Sequence, residues 1–222
     1  MPTGTITAIA AQAHDSQRVN IFIDGAFAIG ISLATLAREQ LAVGQQLDEA
    51  AWNRLEAAAH ADRALHAAGR LLEIRPRSSA ELRERLRRKQ FPPEAIDQAL
   101  ARLEALGLVD DAAFSRYWVE SRQHLRPRGR LALRDELRRK GVAREVIDAS
   151  LAEYADDPAE EQARAMELAR RVAGRYANAD RSGFQRRLGG FLQRRGYSQE
   201  IIRPILGTLW EELRARQSDH PE

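Results

Sequence analysis

The apolar positions of this chain fall into a pattern that is written three times. Leu133 and Leu137 stand four apart, a basic turn follows at Lys140, and Val142, Ile147 and Leu151 then take up a second stripe. Fifty-one positions earlier the same places hold Leu82, Leu86, Lys89, Phe91, Ile96 and Leu100; fifty-five later they hold Leu188, Leu192, Arg195, Tyr197, Ile202 and Leu206. The next apolar place recurs too, as Leu103, Tyr154 and Leu209. Helical periodicity of this kind predicts a pair of helices joined by a short break in each copy. So narrow a stripe cannot bury itself alone, so each pair must pack on neighbouring helices.

Each pair is preceded by a further helical stretch. The first, one long helix or two abutting ones, runs from about Asp48 through Trp52, Leu55, Leu65 and Leu72 to Arg75-Pro76, where proline disfavours helix in the residue before it. Ser78 or Ser79 caps the next helix, Pro93 suits a helix start, and Gly107 closes the unit. Asp110-Asp111 opens the second lead helix, and the second unit stops at Asp156-Asp157-Pro158. The third lead helix spans Pro158 to Tyr176. Three modules of three helices follow, and self-similarity of this kind predicts a tandem array, elongated and curved. Gly189-Gly190 falls inside the third middle helix, at a cost of about 1 kcal/mol per glycine relative to alanine.

Only the first segment reads as β. Thr5–Ile9 alternates, Arg18–Ile23 follows, and Asp24-Gly25 turns into Ala26–Ile29 as a two-residue hairpin loop does. Ser32 or Thr35 caps a short helix through Leu41, and Gly44 marks the exit. The fold class is therefore mainly α, with three tandem three-helix repeats behind a small β-meander. The boundaries expected are a head over 1–47, repeats over 48–109, 110–157 and 158–217, and a polar tail over 218–222. The head reads as a lid over the first helices, with a docking module as the alternative.

Charge changes the picture next. Over the whole chain it is +3, yet residues 1–60 hold three arginines against six carboxylates, a net −3, which leaves +6 for the helices. Only Lys89 and Lys140 are lysines; arginine forks suit phosphate and carboxylate recognition, and an arginine excess running through the whole chain is equally what genomic codon bias produces. Positive charge recurs in register on the middle helices: Arg83, Arg87, Arg88 and Lys89; Arg134, Arg138, Arg139 and Lys140; Arg186, Arg187, Arg194 and Arg195. The loop Arg126-Pro127-Arg128-Gly129-Arg130 adds to it. Cations in a last helical turn also favour the negative end of the helix dipole, so part of this is ordinary. Repetition in register points further, to a stripe that follows a phosphate backbone or an acidic protein polymer.

Catalytic chemistry is absent from the pattern. The histidines (His14, His60, His66, His124, His220) have no zinc spacing, no GxxxxGK[ST] loop occurs, and the paired acids sit at helix starts as caps. No cysteine is present, no apolar run approaches a membrane span and no signal peptide opens the chain, so a cytoplasmic protein without cofactor or membrane contact is expected.

Several stretches resemble a known family. RPRSSAEL (75–82), RRKQF (87–91), GLVDDAAFSRYWVESR (107–122) and ELRRKGV (136–142), in order and at matching separations, are similar to the RecX regulators of bacterial RecA recombinase. The resemblance runs from about Leu71 to Leu213, with the head outside it. It implies tandem three-helix repeats and no enzymatic activity. It further implies binding along the groove of the RecA–single-stranded DNA filament, with restraint of its ATPase, strand exchange and repressor-cleavage activities in recombination, DNA repair and the SOS response. The expected partners are the filament and the single-stranded DNA within it, with weak binding to single-stranded DNA alone as a further expectation, all by a monomer. Candidate contacts are the basic positions named above together with Arg75, Arg77 and Arg122. Gln90 departs from the pattern, standing where the other copies have Gly141 and Gly196. The rival reading is a helix-turn-helix-like protein acting directly on duplex DNA, which predicts sequence preference and a two-fold dimer. A scaffold without any nucleic-acid role is the third.

Overall fold

The computed structural model describes residues 3–13, 15–154 and 158–218. His14, His220, the expected cap at Asp156-Asp157 and the tail beyond residue 218 lie outside them, as does the side chain of Tyr154. The chain divides into two compact units, residues 1–110 and 111–222.

In the first unit, β1 (Gly4–Gln12), β2 (Asp15–Ile23) and β3 (Ala26–Ser32) form the expected antiparallel meander. Asp24 and Gly25 have φ of 49° and 82°, the left-handed pair that a two-residue hairpin turn demands, and Ile23 pairs with Ala26 across it. After helix α1 (Leu33–Arg38), a fourth strand β4 (Gln46–Leu47) pairs with β1, giving the order β3-β2-β1-β4. Two residues are too few for any periodicity, which is why the sequence does not announce this strand. Helix α1 ends at Arg38 rather than Leu41, because Gln40 takes a left-handed φ of 50°.

The sheet does act as a lid. Ile6, Val19, Ile21, Ile23, Ile31 and Leu47 form one core with Trp52, Leu55 and Ala59 of α2 (Glu49–Ile74), a single long helix. Asp62 of α2 fastens the start of α1, its Oδ2 accepting from the Ser32 amide and the buried Thr35 hydroxyl, both at 3.0 Å. Helices α3 (Ser79–Arg88) and α4 (Pro93–Ala105) complete the first module over Ala67, Ala68, Leu82, Leu86, Ile96, Leu100 and Leu103. Ser78, wholly buried, caps α3 by accepting from the Glu81 amide at 3.1 Å.

The second unit repeats the plan twice. Helices α5 (Asp111–Leu125), α6 (Arg130–Arg139) and α7 (Arg144–Tyr154) enclose Phe114, Val119, Leu133, Leu137, Ile147 and Leu151. Helix α8 (Pro158–Ala173), a 3-10 turn, α9 (Arg181–Arg194) and α10 (Gln199–Ser218) enclose Ala165, Ala169, Phe184, Leu188, Leu192, Ile202, Ile205 and Leu209. The equivalent leucines Leu86, Leu137 and Leu192 are all fully buried.

One hydrogen-bond motif makes the three breaks alike. The amides of Phe91, Val142 and Tyr197 donate to the carbonyls of Leu86, Leu137 and Leu192, and those of Gln90, Gly141 and Gly196 to Arg87, Arg138 and Gln193. This is a Schellman closure: a left-handed residue ends the helix and the next side chain folds back onto the core. The left-handed residues have φ of 62°, 75° and 85° in the three copies, so Gln90 carries a strain that glycine avoids in the others.

Two expectations for the third module change. Leu206 is only half-buried and Ile205 takes the core place instead. Gly189 is the reason: a Cβ there would stand 3.3 Å from Leu206 Cδ1, so this leucine lies against the bare backbone of α9 rather than below it. Gly189 is thus a contact and not merely a weak point, whereas a Cβ on Gly190 would meet only the Arg194 guanidinium.

Modules two and three are joined through backbone. Helix α6 starts at Gly129, which offers no side-chain cap. Its open amides find acceptors in the third module: Gly129 donates to Arg195 O at 2.9 Å, Leu131 to Gly196 O at 3.1 Å, and Arg130 to Glu161 Oε1 at 2.8 Å. The positive end of α6 therefore meets the negative end of α9 and a carboxylate of α8.

Candidate nucleic-acid interface

The candidate cations separate by what they touch. Several hold the fold. Arg75 grips Glu81 with two parallel bonds of 3.0 Å, and Arg77, 8% exposed, donates from Nε to Leu71 O. Burial, with Arg75 next, pulls the Arg77 guanidinium below its ordinary pKa. In the second module Glu136 is a hub: Trp118 Nε1 donates to it at 2.9 Å, Arg122 Nε at 2.7 Å, and Arg128 Nε lies 3.7 Å away. Arg122 and Lys140 both sit 4.5 Å from the centre of the Trp118 ring. Arg195 lies over Phe191 in the same manner at 5.1 Å, and Arg130 uses its backbone amide at the module junction. The spacing of Glu136 from Trp118 and Arg122 across two helices is not a local pattern, so the sequence gives no sign of this cluster.

A second group is exposed but shares its charge. Arg83 pairs with Asp97 in the first module, and Arg134 pairs with Asp148 at 2.7 Å in the equivalent place of the second. Arg87 and Arg88 both reach Glu84, at 2.7 and 2.8 Å; the Arg88 hydrogen bond is the main cause holding that carboxyl below the usual range. Arg138 stands 3.7 Å from Asp135, and Arg139 Nε donates to the Asp135 carbonyl. Such exposed pairs are weak, and an incoming polyanion can exchange for their carboxylates.

The third group, Lys89, Arg126, Arg186, Arg187 and Arg194, is exposed with no ion pair among the described residues. Within the second unit a groove of about 410 Å³ brings Arg139 of α6 beside Arg194 of α9, with Arg128 and Asp135 on the same walls. Within the first unit Lys89 lines a cleft with Arg63 and Arg70, two lead-helix cations not among those expected. Their signal in the sequence is the seven-residue spacing that puts them on one face of α2.

Among the described residues no group of three or more His, Asp or Glu side chains could hold a metal ion, and no helix is long and apolar enough to cross a membrane. Tandem three-helix modules with recurring surface cations, and a strand head sharing the first module's core, define a helical-repeat protein.

The family comparisons give that class a name. Residues 64–103, 110–151 and 159–206 match the first, second and third three-helix domains of RecX, and residues 4–48 match the regulatory protein RecX N-terminal domain. The chain belongs to the RecX family of regulatory proteins, and its head belongs to the family pattern along with its helices. Regulatory protein RecX of Bacillus pumilus is 30% identical over 206 residues, which cover 93% of this chain and 78% of that one. That of Streptomyces coelicolor is 40% identical over 143 residues, 64% of this chain and 75% of that one. A crystal structure of regulatory protein RecX superposes with a TM-score of 0.78 at 25% identity, covering 90% of this chain and 98% of that one. RecX from Lactobacillus salivarius shares the fold, with a TM-score of 0.62 at 22% identity over 68% of this chain and 96% of that one. A regulatory role follows from this membership.

Proposed function

We propose that this chain binds the RecA–single-stranded DNA filament along its groove and restrains its ATPase, strand exchange and coprotease activities, without cofactor or catalysis of its own. The observation that carries the reading is membership of the RecX family in all four segments, since relatives named as regulatory proteins span most of the chain. Cations in equivalent places of successive modules fit a partner that itself repeats. The contacts that fit best are those the fold leaves to solvent: Arg83, Arg87 and Arg88 on α3 with Lys89 at its C-cap, Arg134, Arg138 and Arg139 on α6, and Arg186, Arg187 and Arg194 on α9. Arg75, Arg77, Arg122 and Arg128 are better assigned to holding the helices in place.

The test is RecA's DNA-dependent ATPase measured on preassembled filaments. Inhibition is expected at amounts well below one molecule per RecA protomer, with co-sedimentation on filaments exceeding that on DNA alone. Unchanged ATPase at saturating protein, or equal binding to bare duplex DNA, would sink the reading and favour direct duplex binding.

A further inference from the structure

The repeat itself exposes a second site. The register that relates modules one and two continues into their lead helices, since Arg75-Pro76-Arg77 and Arg126-Pro127-Arg128 occupy equivalent places. In module two the space beneath the basic turn is filled: Phe114 and Trp118 stack with ring centroids 6.0 Å apart, and Lys140 lies on the Trp118 ring. In module one the same two places hold Arg63 and Ala67, and the basic turn holds Lys89. Among the described residues no ring carries Lys89 as Trp118 carries Lys140. The space is open, a cleft of about 580 Å³ that Asp15 and Arg18 of β2 also line.

Positive charge converges on this cleft from three distant segments. Arg63, His66 and Arg70 come from one face of α2, Lys89 from the end of α3, and Arg18 from β2. Arg18 spends one N–H on Gly30 O at 2.9 Å and Arg63 approaches the His60 ring at 3.0 Å, which leaves most donors of both guanidinium forks unused. Arg70, His66 and Lys89 are exposed and have no hydrogen-bond or ion-pair partner among the described residues. Asp15 is the one carboxylate on the walls, and it accepts from the Gln17 amide. A head whose residues are net acidic thus turns one of its few arginines toward this spot.

We propose that this cleft binds phosphoryl groups carried close together, as in a nucleoside polyphosphate or in neighbouring phosphates of a nucleic-acid strand. Arginine forks and a lysine point charge are the side chains suited to phosphate oxygens. Four fixed cations against one carboxylate match a ligand of two or three negative charges. The volume is that of a small-ligand site and far exceeds a lone carboxylate, and the half-buried Phe91 on the wall offers apolar surface to a sugar or base. An ordinary solvated face would not gather cations from three segments around a hollow that the sister module fills with tryptophan. The site belongs to the free chain and does not depend on the filament reading.

The test uses the full chain without RecA and follows anisotropy of two probes, a fluorescent ATP and a fluorescent oligothymidylate, with pyrophosphate as competitor. Both should be displaced by pyrophosphate. Arg63→Ala, Arg70→Ala and Lys89→Ala should each weaken binding about tenfold, as loss of a charge-assisted contact does. Arg138→Ala should leave the affinity for the ATP probe unchanged. Binding of ATP comparable to the oligonucleotide assigns a nucleotide site; binding of the oligonucleotide alone assigns a strand site. Ala67→Trp, which copies the filled module, should close the cleft, and Arg70→Glu at an exposed place serves if that variant does not fold. Failure of both probes to bind, or undiminished affinity in the Arg63→Ala/Arg70→Ala/Lys89→Ala triple variant, overturns the proposal.

Discussion

Replacing Gly196 by alanine tests the backbone seam between the second and third modules. Gly196 has φ of 85°, and a Cβ there would fall 2.3 Å from both the amide nitrogen and the Cβ of Ala132. Facing it, a Cβ on Gly129 would fall 2.3 Å from Gly196 O. Left-handed backbone costs an alanine about 1–2 kcal/mol, reduced by about 0.4–1 because the unfolded chain loses freedom. The clash adds about 1–3 kcal/mol of overpacking, since the obstructing atoms are backbone and cannot swing aside. If the seam parts to relieve it, the Gly129 and Leu131 amides lose the Arg195 and Gly196 carbonyls at 2.9 and 3.1 Å. Each orphaned amide that stays dry costs about 1–3 kcal/mol, less where water replaces the carbonyl.

The control is Gly107→Ala. Its φ of 68° is also left-handed, but nothing lies within 4 Å of the added Cβ, so only the backbone part of the cost applies, about 0–1.6 kcal/mol. Denaturant unfolding should therefore rank Gly196→Ala below Gly107→Ala by at least about 1 kcal/mol. Hydrogen exchange resolved by segment should show the first amides of α6 losing protection while Leu137 and its neighbours keep theirs. Equal stability in the two variants, or protection unchanged at Arg130 and Leu131, would refute the seam as the joint between these modules.

Three further outcomes follow from the same geometry. Gly190→Ala should raise stability by up to about 1 kcal/mol in a thermal melt, while Gly189→Ala, pressed against Leu206, should gain less or nothing. Replacing Arg134, Arg138 and Arg139 together by alanine should weaken filament co-sedimentation and flatten its dependence on salt, as fewer counterions are released, with circular dichroism unchanged; unaltered binding at low and high salt would assign them to a solvated face. Tyr197 is 2% exposed and its hydroxyl has no hydrogen-bond partner among the described residues; burial, with Glu161 next, pushes its pKa up to about 12. The folded state thus favours the neutral ring, so stability should be level below the unfolded tyrosine value of about 10 and fall by about 2–3 kcal/mol as pH rises from 10 to 12, a loss that Tyr197→Phe abolishes.

Much of the fold was legible because its determinants are local. Leucines four apart, the left-handed stop and the apolar residue after it all lie within one or two helical turns, so Leu86, Leu137 and Leu192 could be aligned by eye. Asp24-Gly25 announced its hairpin for the same reason. What the sequence hid is tertiary. Strand β4 needs the edge of β1 to exist, Asp62 needs a helix start thirty residues earlier, and the Glu136 cluster needs two helices side by side. The basic stripe was legible only as composition. Arg83, Arg134, Arg75 and Arg122 look alike in a run of arginines, and only the positions of Asp97, Asp148, Glu81 and Glu136 tell the structural cations from the available ones.

The way the copies differ carries the last step. The middle-helix leucines and the turn geometry are kept in all three modules, so they state what a module needs in order to fold. The space under the basic turn is not kept: it holds a stacked aromatic pair in module two and a cationic hollow in module one. A folding requirement would constrain that space alike in equivalent modules, because the helices around it are equivalent. Neither filling is needed by the Schellman turn above it, which forms with Gln90 as it does with Gly141. Divergence at the Trp118 place, beside middle-helix leucines and turns that recur, is what a repeat array shows when its modules present different surfaces to a partner. An array of interchangeable clamps would instead repeat its surface as faithfully as its core.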